Sequence, residues 1–178
     1  MYKILGVVLI MTGSIGVSCR IIHDMKKEVE LKKNLIKMLQ LLESEIRHHH
    51  LNLPECFAVT AGRLTGQVAA FLMDLSDDLK NKMGTSLSEL WQEKVRIHFT
   101  SGNDAADGIL GECEIVQLCR FGTELGFSDQ TIQLNMIRQY EQQLQEDMDR
   151  AVMKIRETSR IYRTMGILGG AFLVIMLL

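Results

Sequence analysis

The chain has 178 residues, 47 % of them hydrophobic, with 20 Lys and Arg against 22 Asp and Glu for a formal charge of −2. That balance excludes the broad cationic face on which nucleic-acid binding depends, so no nucleic-acid partner is expected. Eleven Met against ten aromatic residues, with a single Pro, favour helices over a strand-rich sandwich, and the expected class is all-α. Cys19, Cys56, Cys113 and Cys119 form no CxxC pair, which argues against a zinc clip or a disulfide framework and leaves reduced, mostly buried thiols.

Near the start, Ile4 to Cys19 gives 16 residues without a charge, bounded by Lys3 and Arg20. At about 1.5 Å per residue they span roughly 24 Å, short of a hydrocarbon core of about 30 Å, and snorkelling by the flanking cations closes the gap. Residues 1–22 therefore read as an N-terminal transmembrane anchor. The rival is a cleaved signal peptide, including one of lipoprotein type, since Gly16, Val17, Ser18 and Cys19 resemble a lipobox. Gly16 is small for such a signal, and export would drag the basic run after Arg20 across the membrane.

Beyond Arg20, Leu31, Leu35, Met38, Leu42 and Ile46 recur at steps of 4, 3, 4 and 4, one face of a helix that should end near His50. Pro54 fits the first turn of a short second helix running to Arg63 or Leu64, where its missing N–H costs nothing. Residues 66–83 form a third helix, with Val68, Phe71, Leu72, Leu75 and Leu79 on one side and Gly84 as its stop. Ser86 and Glu89 make a capping-box pattern ahead of a helix that buries Leu90, Trp91, Val95 and Phe99. Ser101 to Gly111 reads as a loop. A fifth helix, about 111–125, carries Ile115, Val116, Leu118 and Cys119 and stops at Gly126.

Ser128 then caps the longest element. Ile137, Tyr140, Leu144, Met148, Ala151, Ile155 and Tyr162 nearly keep helical steps across it, and no Pro interrupts the chain from Asp129 to Leu178. Its end, Thr164 to Leu178, is 15 uncharged residues preceded by Tyr162 and Arg163, a C-terminal anchor over 164–178. Arg20, Lys26, Lys27, Lys32 and Lys33 follow the first run, and Arg150, Lys154, Arg156, Arg160 and Arg163 precede the second. The positive-inside rule places residues 23–163 in the cytoplasm. Two long helices entering the membrane from one side should pair antiparallel as a stalk, with the shorter helices at its distal end.

Candidate chemistry is sparse. His48, His49 and His50 are adjacent and so point about 100° apart, which suits a solvated helix end better than a metal site. Glu43 with Glu45, and Glu112 with Glu114, are i, i+2 pairs on different helix faces, which makes them surface charges and not acid/base dyads. Cys113 and Cys119 share no helical stripe and lack a nearby His. There is neither GxxxxGK[ST] nor GxGxxG, so any nucleotide hydrolysis belongs to a partner. Gly13, Gly16, Gly166, Gly169 and Gly170 are small residues that let membrane helices approach closely. The residues describe a helical, non-enzymatic membrane protein without cofactor or small-molecule substrate.

Four segments carry a resemblance: KILGVVLI from Lys3 to Ile10; LQLLESEI from Leu39 to Ile46, followed by LPE from Leu53 to Glu55; FGTELGFSDQ from Phe121 to Gln130; and YRTMGILGG from Tyr162 to Gly170. In order and extent the chain resembles the stage III sporulation protein AB family of endospore-forming bacteria. The central part also resembles the type II secretion F domain of inner-membrane platform proteins, through the helix-Pro-helix unit Leu39 to Phe57 and the turn GTSLSEL from Gly84 to Leu90. It departs from that pattern in having one such domain and an anchor at each end.

The resemblance implies a component of the sporulation channel, or feeding tube, between mother cell and forespore, located in the mother-cell membrane around the forespore. The implied partners are a secretion-type ATPase, stage III sporulation protein AA, and other stage III sporulation A membrane proteins. The alternative is a lipid-anchored extracytoplasmic scaffold of the same complex. Leu53, Pro54, Phe121, Gly122, Leu125, Gly126, Gly166, Gly169 and Gly170 are the implied motif positions, as structural or partner contacts.

Overall fold

The computed structural model describes the backbone of residues 2–49, 52–81, 84–100, 110–126 and 129–177, and the side chains of residues 20, 22–48, 52–81, 84–100, 110–126 and 129–161. The elements are α1 Tyr2–His49, α2 Leu53–Ala61, α3 Gln67–Asn81, α4 Leu87–Phe99, α5 Glu112–Leu125 and α6 Gln130–Leu177. Six helices, with no strand among the described residues, make the chain all-α. Among the described residues no helix is long and apolar enough to cross a membrane. The uncharged runs 4–19 and 164–178, Cys19 included, lie outside the described side chains, as do His49 and His50. Residues 101–109 and the expected cap Ser128 lie outside the described residues altogether.

The helix boundaries follow local chemistry. Pro54 occupies the first turn of α2, where Asn52 is the N-cap residue. Gly66 and Gly84 hold φ of 72° and 107° at the turns ahead of α3 and α4, a left-handed backbone that residues with a Cβ rarely adopt. The Ser86 hydroxyl accepts the Glu89 N–H at 3.2 Å, as its spacing foretold. At the start of α5 Gly111 has no side chain to cap with, and instead its own N–H donates to the Glu114 carboxylate at 3.0 Å.

The chain divides into two compact units, Glu30–Asp147 and the terminal segments 1–29 with 148–178. The terminal unit consists of the first part of α1 and the last part of α6. In Glu30–Asp147, the rest of those two helices run antiparallel. Gln40 Nε2 donates to Glu141 at 2.7 Å, Arg138 to Glu43 at 2.8 Å, and Gln130 to the Ile46 carbonyl at 2.7 Å. The expected pairing of the long helices thus holds within this unit, which also contains α2 to α5.

Its core is aliphatic along α1, with Leu35, Met38, Leu39 and Leu42 buried, and aromatic where Phe57, Phe71, Trp91 and Phe99 meet. Burying side chains of this size removes enough apolar surface from water to contribute about 1.5–3 kcal/mol each. Ser76 latches α3 to α2 by donating to the Pro54 carbonyl at 2.8 Å.

The structure corrects several expectations. Glu45 is 2 % exposed and pairs with Arg63 at 2.8 Å, and Glu114 binds the buried Lys32 at 2.6 Å. Neither is a solvated surface charge. The reason is the width of the buried arc of α1, which is covered by more than one neighbour and so reaches polar positions. Glu43, expected at the surface, is half-buried and is shared by Arg138 and Arg47. Cys113 is exposed, against the expectation of mostly buried thiols, and Val116 is 66 % exposed.

Candidate functional site

Trp91 is the point on which four helices converge. Its indole N–H donates to the Leu118 carbonyl at 2.8 Å, which fixes the ring across α5. One turn further, Gly122 lies beneath the ring so closely that a Cβ there would fall 2.1 Å from both Cγ and Cδ1. Around the indole stand Phe71, edge-on at 5.0 Å between centroids, Phe57 at 5.9 Å and Phe121 at 5.7 Å. Such tilted and edge-on pairs match the positive ring edge to the negative face.

Phe121 also stacks on Tyr140 of α6, 4.9 Å away with planes inclined by 18°. These two rings floor a cleft of about 290 Å³ between α5 and α6, walled by Gln117, Arg120 and Glu124 on one side and by Met136, Gln139 and Gln143 on the other. Arg120 and Glu124 pair along the rim at 2.7 Å. Val116 and Ile132 are exposed on the same two helices, at 66 % and 53 %. An aromatic floor under primary amides suits the side chains and backbone of a peptide, because amides both donate and accept hydrogen bonds.

The Tyr140 phenol and the thiols are held neutral. Burial, and after it the charges of Glu114 and Asp147, push the Tyr140 phenol well above its ordinary range. Burial likewise raises the Cys119 thiol against the opposing effect of Arg96, and raises Cys56 with help from Glu45 and Glu55. Raised thiols are weak nucleophiles at neutral pH. His98 contacts Asp74 at 2.8 Å and lies edge-on to Phe71, which ties α4 to α3. Among the described residues no three His, Cys, Asp or Glu cluster as a metal site would require.

Of the motif positions, Phe121, Gly122 and Leu125 are buried along one face of α5, and Gly126 is its exposed C-cap. Leu53 and Pro54 are half-buried at the start of α2. The two motif segments meet indirectly, since Phe57, one turn after Leu53, packs on the same indole as Phe121. Gly166, Gly169 and Gly170 lie outside the described side chains. Sequence reasoning placed Trp91 in the core but missed its role as a hub, although an uncapped glycine in mid-helix is a signal of close approach. Tyr140, Glu45 with Arg63, and His98 with Asp74 carried no local signal.

Set beside known proteins, the chain matches a family model described as stage III sporulation protein AB over residues 3–178. A solved structure of a stage III sporulation protein AB is similar with a TM-score of 0.61 and 23 % identity, covering 73 % of this chain and 97 % of that one. At that identity the likeness speaks for the fold alone. No curated protein matches the chain.

Proposed function

We propose, from the premise that this chain belongs to the stage III sporulation protein AB family, that it is a non-enzymatic membrane platform of the sporulation channel which docks a secretion-type ATPase. Residues 1–22 and 164–178 anchor it, and residues 23–163 face the cytoplasm. The ATPase is stage III sporulation protein AA, and other stage III sporulation A membrane proteins complete the assembly. The observation that carries the docking reading is the α5–α6 cleft, an open aromatic and amide-lined surface flanked by exposed Val116 and Ile132. The resemblance of Leu39 to Phe57 and of Gly84 to Leu90 to secretion platform domains supports it.

The test is co-purification of the full-length chain, in detergent, with the ATPase. Val116→Glu combined with Ile132→Glu changes exposed positions only and should abolish capture while helix content stays constant. Capture undiminished by that pair would remove the cleft as the docking surface. Topology is read separately at the exposed Cys113. In cells that make the chain but have not engulfed a forespore, so that every copy lies in the surface membrane, a membrane-impermeant maleimide should leave it unlabelled until the membrane is permeabilised, whereas an extracytoplasmic scaffold would label at once.

A further inference from the structure

The formal charge of −2 conceals a division along the chain. Residues 1–29 with 148–178 carry nine Lys and Arg against four Asp and Glu, whereas residues 30–147 carry eleven against eighteen. A terminal unit with an excess of five positive charges thus belongs to the same chain as a unit with an excess of seven negative ones. Positive-inside orientation accounts for the sign of the first excess but says nothing of what the exposed cations touch.

Their arrangement on α6 is two-sided. Met148, Ala151, Val152, Ile155, Thr158 and Ser159 are half-buried and share one face at helical spacing. The opposite face exposes Arg150, Lys154, Arg156 and Arg160, and among them Met153 and Ile161 are 65 % and 58 % exposed. On α1 Arg20, Lys26 and Lys27 are exposed as well. Asp149 and Glu157 on α6, with Asp24 and Glu28 on α1, reduce the excess without cancelling it. Arg156 precedes the uncharged run at Thr164 by eight residues, and Lys27 follows the run ending at Cys19 by eight. Each is therefore within about 12 Å of helix rise from an apolar segment.

We propose that the basic collar formed by Arg20, Lys26, Lys27, Lys154, Arg156 and Arg160 binds the phosphate headgroups of anionic phospholipids. The proposal rests on the membrane-anchored reading above and adds a ligand class to it. Guanidinium groups pair with phosphate oxygens in a bidentate fork, and four of the seven exposed cations are Arg. The exposed Ile161, three residues before the uncharged run, decides between partners. A lipid interface accepts apolar side chains at the boundary between headgroups and acyl chains, whereas a free phosphate ion leaves them in water. Attraction to an anionic leaflet is about fivefold in affinity per cation held near it.

The experiment uses the full-length chain in detergent, offered phosphatidylglycerol, phosphatidylcholine or inorganic phosphate, with bound species counted by native mass spectrometry. Phosphatidylglycerol should be retained by at least about fiftyfold over phosphatidylcholine, less so as salt rises, and phosphate at equal concentration should not displace it. Arg156→Gln with Arg160→Gln should cut that preference by on the order of twentyfold. Lys33→Gln with Lys37→Gln, exposed cations of residues 30–147, should leave it unchanged. Equal retention of the two lipids, an unaltered preference in the Arg156 and Arg160 variant, or displacement by phosphate would each overturn the collar. Flotation with liposomes separates this failure from that of the underlying reading. A chain that inserts into neutral and anionic vesicles alike loses only the collar, and one that floats with neither loses the anchors too.

Discussion

At Gly122 the α5 backbone and the Trp91 indole occupy space that a single added carbon would contest. A Cβ there would sit 2.1 Å from two indole carbons, so Gly122→Ala forces the ring out of its packing and strains its bond to Leu118. Overpacking of this kind costs about 1–3 kcal/mol, against roughly 1 kcal/mol that Ala gains over Gly in a helix interior. A net loss of about 1 kcal/mol is expected in urea unfolding, followed by the fluorescence of this sole Trp. Gly126 is the comparison, because a Cβ there makes ordinary contact with Leu87 at 3.4 Å and φ is −73°. Gly126→Ala should stay within about 0.5 kcal/mol of the parent. Thr60 offers the opposite case, a buried hydroxyl without a hydrogen-bond partner. Leaving such a group unsatisfied costs about 1–3 kcal/mol, so Thr60→Val should raise the urea midpoint, and a lowered midpoint would mean the hydroxyl is satisfied after all.

Between elements, the contact of α1 with α5 rests on Lys32, only 3 % exposed, and on Glu114, which binds the Lys32 ammonium and also caps the first turn of α5. Lys32 is the buried member of the pair, whereas Glu114 is 21 % exposed. Glu114→Leu alone should therefore destabilise the chain by about 3 kcal/mol, because the buried Lys32 ammonium loses this carboxylate, and adding Lys32→Met should recover part of that loss, since an apolar pair of similar volume needs no desolvation. A double-mutant cycle from urea midpoints reads the coupling, and simple additivity would show that the two charges are already solvated. Helix spans were legible because they depend on neighbours in the sequence: the steps from Leu31 to Ile46, Pro54, Ser86 and Gly126 each act within one or two turns. The charge pairs were not legible for the converse reason. Glu45 is buried because Arg63 returns to it after α2, and no period along α1 encodes a partner 18 residues away.

For the molecule as a whole, the same limit hid the cleft while leaving its motif visible. FGTELG could be recognised from Phe121 to Gly126, but its meaning depends on α6 folding back so that Tyr140 stacks on Phe121. That placement gives global stability a pH dependence of definite sign. The phenol is held neutral in the folded chain by burial and by the charges of Glu114 and Asp147, so its folded value lies above the value near 10 of an unfolded tyrosine. The raised group contributes stability that is fully present below pH of about 10 and is lost as pH rises toward the folded value, because only the unfolded chain then releases the proton. The urea midpoint should accordingly fall above pH 10, and Tyr140 should ionise, by absorbance near 295 nm, together with unfolding. Tyr140→Phe keeps the stacked ring and removes the proton, so its midpoint should decline less over the same interval. Parallel declines for parent and variant would show that alkaline unfolding is driven from elsewhere, and an early Tyr140 titration in the folded chain would place the phenol in water.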